Sequence, residues 1–304
     1  MARSRASFLL HIGLLASVAG CFRAPARAAA GVTDDWGRAL RMAPARRIVS
    51  LQPATTELVF ALGLGDRLVG RTTWCDYPPA ALRVTDVGAG IGPNVEAIAA
   101  VHPDLVLLYA SEANRDALRQ LGALGIGVAV LRVDLTADMR RAAHVIATLA
   151  GVPGSADSLL AVFDSAMASA RRFVVIPAPR TSHLAPSLYV DIEPNPPITV
   201  GAGSFLSEVI AEAGARNVFD DITRPSAPVS LEAIVARDPD AVLVLTTDTA
   251  HARGIAARPG WRALSAVRDG RIIAVNGSLF GRPSPRMPQA VAELASRLAS
   301  LRAR

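Results

Sequence analysis

The chain has 304 residues, 51% of them apolar, enough for roughly two domains of about 150 residues and too many for one small domain. Its formal charge of +6 is carried by arginine alone, scattered singly or in pairs and not interleaved with aromatic residues. That pattern argues against the basic stripe of a nucleic-acid groove.

The first element is an export signal. Arg3 and Arg5 precede an apolar run over residues 8–18, the length of a secretory signal's core and too short to span a bilayer. The run ends in Val18-Ala19-Gly20-Cys21, which resembles a lipobox, the small-residue site whose cysteine is diacylated before cleavage. Residues 1–20 therefore read as a lipoprotein-type signal peptide, and Cys21 as the lipidated first residue of a protein anchored on the periplasmic or extracytoplasmic face. A rival A-x-A site at residues 28–30 is separated from the apolar run by Arg23 and Arg27, a poor cleavage region. Processing at Cys21 removes two arginines and no acid, leaving 30 arginines against 26 acids and a charge of +4. Cys75 is then the one unmodified cysteine, which implies no intramolecular disulfide and reads as a small buried hydrophobe. No later segment reaches the roughly 18 consecutive apolar residues of a membrane span.

Residues 21–45, rich in Ala, Arg and Pro, read as a tether. From there strands and helices alternate, the pattern of parallel sheets covered by helices on both faces. In a first lobe, residues 46–152, a strand at 47–51 leads to a helix over 55–62, strands at 68–70 and 105–109, a helix over 114–124 and a strand at 128–132. Residues 139–150 and 155–172 are helical in pattern, broken by Gly151-Val-Pro-Gly154. Ser155 is the expected N-cap of the second, and Leu159, Leu160, Phe163 and Met167 form its apolar stripe. That helix, within residues 153–173, reads as a rigid connector, because a flexible linker would be rich in Gly and Ser. A second lobe, residues 174–304, continues with a strand at 188–191, a helix over 204–213, strands at 241–245 and 272–275, and a closing helix over 287–301.

An internal repeat supports this division. Glu96-Ala-Ile-Ala-Ala-Val-His-Pro-Asp-Leu-Val-Leu107 matches Glu232-Ala-Ile-Val-Ala-Arg-Asp-Pro-Asp-Ala-Val-Leu243 at eight of twelve positions. Each copy reads as a short helix, a Pro-Asp turn and a buried strand. The expected architecture is α/β, two Rossmann-like lobes with parallel sheets joined by one long rigid helix, with the ligand cleft between them.

Ligands of such sheets sit beyond the carboxyl ends of the strands. The loops there carry Gln52 and Pro53, Trp74 and Tyr77, the glycines around Gly90 and, in the second lobe, Ser278 and Phe280. Three Trp and three Tyr serve the whole chain, and one of each falls in a single four-residue loop. Their rings suit a large planar ligand; the alternative is that both cap the core beneath them. Gly88-Ala-Gly90-Ile-Gly92-Pro and Gly201-Ala-Gly203 leave the dinucleotide fingerprint incomplete and read as loops that turn tightly or are closely approached. There is no G-x-S-x-G, H-E-x-x-H or Walker loop. His11, His102, His144, His183 and His251 stand apart, at no metal-binding spacing. An enzyme is not expected: an α/β oxidoreductase would need a complete phosphate loop and a cytosolic chain. A surface adaptor without a ligand is the third class.

Arg47-Ile-Val-Ser-Leu-Gln-Pro-Ala-Thr-Thr-Glu57, Ala61-Leu-Gly-Leu-Gly-Asp-Arg-Leu-Val-Gly70 and Asp76-Tyr-Pro-Pro79 are followed by Asn94-Val-Glu96, Pro103-Asp104, Pro196-Pro-Ile-Thr-Val-Gly201, the Glu232 repeat and Ser284-Pro-Arg286. Together, over residues 46–301, they closely resemble the periplasmic cobalamin, haem and ferric-siderophore binding proteins of ABC importers, the class III solute-binding proteins. The resemblance implies two lobes joined by one helix with little hinge motion, and a monomer that hands its ligand to a permease and ATPase complex. Residues 74–79 resemble the cobalamin branch most, which implies a corrinoid ligand of the vitamin B12 type. Haem, with Tyr77 or a cleft histidine on the iron, and a ferric siderophore are the alternatives. It implies no other cofactor and no resident metal. It also implies that Glu96 and Glu232, one per lobe, dock onto arginines of a two-fold symmetric permease; the alternative is that each is a helix-start glutamate favoured by the dipole. Gly90 and Ala227 stand where the cobalamin branch has cleft tryptophans, and Ser278 and Leu279 where it has a polar and an aromatic residue, so part of that branch's stacking surface is missing.

Overall fold

The computed structural model describes residues 31–174, 185–248 and 254–302; the signal segment, Cys21, His11, His183 and His251 lie outside them. An antiparallel hairpin of β1 (Val32–Thr33) and β2 (Ala39–Leu40) opens the described chain. The first lobe follows: β3 (Ile48–Ser50), α1 (Pro53–Ala61), β4 (Leu68–Arg71), α2 (Val95–Ala100), β5 (Leu105–Tyr109), α3 (Arg115–Ala123) and β6 (Gly127–Leu131). Its sheet is all parallel in the order β4-β3-β5-β6. Leu105, Val106, Leu107 and Leu108 are fully buried, as an unbroken apolar run covered on both faces requires.

The hairpin corrects the tether expectation for residues 32–40. The Asp34 carboxylate, 5% exposed, accepts from the amides of Trp36 and Arg38, from the Arg38 guanidinium, and from the Val130 amide at 3.1 Å. Val130 lies on the edge strand β6, so the hairpin covers an edge that would otherwise stand open. Two-residue strands in an Ala/Arg/Pro-rich stretch leave no periodic signal, and one buried carboxylate decides their place.

Next come α4 (Thr136–Leu149) and the connector α5 (Gly154–Ala170). Ser155 is not the N-cap of α5. It sits inside the first turn, its hydroxyl donating to the Val152 carbonyl, and Pro153 precedes the helix. The buried stripe is Ala156, Leu160, Phe163, Met167 and Ala170, alternating steps of four and three that keep one face inward. Of these, Ala156, Phe163, Met167 and Ala170 join a single apolar cluster which includes Ile48 and Leu107 of the first sheet and Leu188 and Leu243 of the second. At about 1.5–3 kcal/mol per buried large side chain, a core shared by both lobes opposes their separation.

The second lobe contains β7 (Ser187–Asp191), β8 (Glu193–Pro194), β9 (Pro197–Val200), α6 (Phe205–Glu212), β10 (Arg216–Asn217), β11 (Ser226–Pro228), α7 (Leu231–Arg237), β12 (Ala241–Leu245), α8 (Ser265–Arg268), β13 (Ile272–Val275), α9 (Gly277–Phe280) and α10 (Met287–Arg302). Its main sheet is parallel in the order β10-β7-β12-β13, the arrangement of the first lobe again. A small antiparallel sheet, β11-β9-β8, is an addition that its proline-rich strands concealed.

The repeat performs the same work in each lobe. Asn94 caps α2 by accepting from the Ala97 amide, and Ser230 caps α7 by accepting from the Ala233 amide. His102 and Asp238 hold matching left-handed turns, with φ of 47° and 33°. Asp104 then accepts from the amides of Arg46 and Arg47 just before β3, and Asp240 from the amide and hydroxyl of Ser187 at the start of β7. The Pro-Asp turn thus ties the repeat strand to the first strand of its own lobe.

Candidate functional site

The carboxyl ends of both sheets converge on a cavity of about 490 Å³ between the lobes. Gln52 and Pro53 follow β3, Thr72 and Trp74 follow β4, Tyr109 ends β5, Asp134 follows β6, and Gly277 and Arg282 come from the second lobe. A smaller cavity of about 220 Å³ adjoins it through Asp134 and Gly281, and is lined by Ile192, Leu245 and Phe280 of the second lobe. This is the switch-point position where doubly wound sheets hold ligands.

Buried polar contacts set the first-lobe loops. The Ser50 hydroxyl lies 2.7 Å from that of Thr55 and accepts from Thr56, while Thr56 and Thr72 both meet the Cys75 sulfur. Cys75 is fully buried, the small hydrophobe expected, and it fixes the turn that leaves Trp74 73% exposed at the cavity. The glycine loop is closely approached: a Cβ on Gly90 would stand 2.0 Å from the Leu51 carbonyl oxygen. Asn114, fully buried, bonds this loop to β5, accepting from the Gly92 amide and donating to the carbonyls of Gly90 and Tyr109.

Of the expected ligand residues, Gln52, Pro53, Trp74 and Gly90 line the larger cavity and Phe280 the smaller. Three others do not line either. Tyr77 lies under the Arg286 guanidinium, 3.7 Å from the ring centre. Ser278 donates to Asp76 across the lobes. Ala227 is buried in β11 opposite Thr199. Tyr77 and Ser278 belong instead to an ionic tie in which Arg286 grips the buried Glu57 at 2.8 and 2.5 Å. Arg282 meets Asp76 at 2.8 Å and Glu57 at 3.6 Å. Burial pushes the Asp76 carboxyl up, but Arg282 and Ser278 outweigh this and hold it below its ordinary value. The Thr136 hydroxyl donates to the Glu208 carboxylate and the Phe205 amide to the Asp134 carbonyl, adding hydrogen-bonded ties between the lobes.

Sequence reasoning missed Tyr109 and Asp134. The Tyr109 hydroxyl donates to Asp134 Oδ1 at 2.9 Å; burial, then that carboxylate, pushes the phenol up to about 12, so it stays protonated at neutral pH. Among the described residues Asp134 enters no ion pair, and no histidine lines either cavity: His102 is at a surface turn and His144 on α4. No group of three or more His, Cys, Asp or Glu among the described residues could hold a metal ion.

Glu96 and Glu232 are exposed second residues of α2 and α7. The Glu232 carboxyl is held below its ordinary value by its own backbone amide and by Ser230. No helix among the described residues is long and apolar enough to cross a membrane.

The family model described as periplasmic binding protein matches residues 48–279. The chain belongs to that family. Among its relatives, the uncharacterized ABC transporter substrate-binding lipoprotein YvrC of Bacillus subtilis is 34% identical over 255 residues, covering 82% of this chain and 79% of that one. Two solved structures align along nearly their whole length. The periplasmic vitamin B12 binding protein BtuF of Vibrio cholerae has a TM-score of 0.70 at 26% identity, covering 86% of this chain and 99% of that one. The periplasmic haem-binding protein RhuT of Roseiflexus sp. RS-1, in apo form, has 0.74 at 26%, covering 84% and 99%. The first of these is a substrate-binding lipoprotein of an ABC transporter, and the other two bind vitamin B12 and haem.

Proposed function

We propose that this periplasmic binding protein captures a corrinoid of the vitamin B12 type in the inter-lobe cleft and delivers it to an ABC permease and its ATPase. The cleft's charge and donor set carry the reading. Among the described residues Arg282 is the one cation lining the larger cavity and is already engaged by Asp76 and Glu57, while Asp134 enters no ion pair. A haem with two propionates, or an anionic ferric siderophore, would meet repulsion there. Haem would also need a phenolate or imidazole on its iron, whereas among the described residues the Tyr109 hydroxyl is engaged by Asp134, Tyr77 is covered by Arg286 and no histidine lines the cleft. An amide-bearing corrin meets neither obstacle, and Trp74 offers its ring a flat apolar face.

Delivery follows from the repeat. Glu96 and Glu232 present two exposed carboxylates at equivalent places on one chain, suited to paired arginines of a two-fold symmetric permease. One copy carries both, so a monomer suffices. Lipidation at Cys21 would hold the protein on the extracytoplasmic face beside its permease.

The test is calorimetric titration of the purified protein with cyanocobalamin and then haemin, with visible spectra recorded alongside. One-to-one cobalamin binding without a ligated haem spectrum is the expected result. Silence toward cobalamin with a ligated haem spectrum would move the protein to the haem branch.

A further inference from the structure

Asp134 is the charged side chain of the cleft with no cationic partner among the described residues, and it lines both cavities. Its position is held from three sides. The backbone amide donates to Asp138, the carbonyl accepts from the Phe205 amide of the other lobe at 3.0 Å, and Oδ1 accepts from Tyr109. Oδ2 is left as an acceptor in a cavity walled mostly by apolar groups such as Val133, Ile192 and Phe280, with Ser204 as the other polar side chain. A carboxylate so placed forms a charge-assisted bond with an arriving N–H and repels an arriving carboxylate.

We infer that Asp134, positioned by Tyr109, is a specificity group that reads the side arms of the ligand: it accepts from a primary amide and rejects the corresponding acid. The inference rests on the corrinoid reading, since a corrin carries its amides around the ring edge. Tyr109 acts through Asp134 as a positioning residue, its protonated hydroxyl fixing which oxygen faces the ligand.

Two corrins with the same metal and macrocycle test this: dicyanocobinamide, with its amides intact, and dicyanocobyrinic acid, with carboxylates in their place. The affinity ratio is measured for the wild-type protein and for Asp134→Asn, whose folding is checked by its melting curve. The wild-type protein should prefer the amide corrin, and Asp134→Asn should shrink that preference by about tenfold or more, the weight of one hydrogen bond to a charged group. An unchanged ratio in Asp134→Asn would overturn the role of Asp134 while leaving the corrinoid reading intact. Equal binding of both corrins by the wild-type protein would do the same without any variant. Binding of haemin, a dicarboxylate, with neither corrin bound would overturn both.

Discussion

In the first lobe Asn94 caps a helix, His102 turns the chain at positive φ and Asp104 ties that turn to β3; in the second, Ser230, Asp238 and Asp240 do the same for β7, 136 residues later (240 against 104). The strand ends of the two lobes are much less alike. The first brings Trp74, the Gly90 loop, Tyr109 and Asp134 to the cleft, whereas the second brings Ile192, Leu245, Phe280 and Arg282. The scaffold and its outward carboxylates repeat, and the cleft face does not. A symmetric partner can read the repeat while a ligand without symmetry reads the difference.

The largest effect should come from breaking the shared half of that comparison. Reversing both Glu96→Arg and Glu232→Arg is expected to abolish ligand uptake in cells while calorimetric affinity stays unchanged, because both residues are exposed and line neither cavity. Uptake that survives at normal protein levels would remove the docking role. Next is the tie between the lobes: Arg286→Met strands the buried Glu57 and uncovers Tyr77. A loss of about 3 kcal/mol in denaturant unfolding is expected, at the lower end for a broken buried pair because Arg282 stays near. Trp74→Ala follows. The 73% exposure of Trp74 leaves stability within about 0.5 kcal/mol, whereas cyanocobalamin affinity should fall by about 2 kcal/mol if its ring is a contact.

Much of the scaffold was legible before any coordinates. The apolar strands at 105–109 and 241–245 and the repeat around them carry their pattern locally, and both strands appear where expected. The cleft was legible only in part. Gln52, Pro53, Trp74, Gly90 and Phe280 could be placed at strand ends by topology, but Tyr109 and Asp134 lie 25 residues apart and meet through tertiary packing alone. Asn114 and Asp34 follow the same rule, each a single polar side chain that organises a distant segment without leaving a periodic trace. Arg286 and Glu57 show it at its longest range, 229 residues apart.

The smallest effect separates the two turns. His102→Gly removes the cost of a left-handed turn and should stabilise by about 0.5–1 kcal/mol. Asp238→Gly should gain less, because Asp238 also accepts from the Ser265 amide. Equal gains from thermal unfolding of the two variants would show that this bond contributes nothing.

The central claim, that the asymmetric cleft face holds a corrinoid, is met most directly by a crystal structure of the protein grown with cyanocobalamin. The expected result is the corrin seated between the lobes against Trp74, with an amide arm at Asp134. Corrin density confined to the groove of similar volume along α5, where Arg140–Asp164 and Arg171–Glu212 pair over Phe163 and Met167, would contradict it.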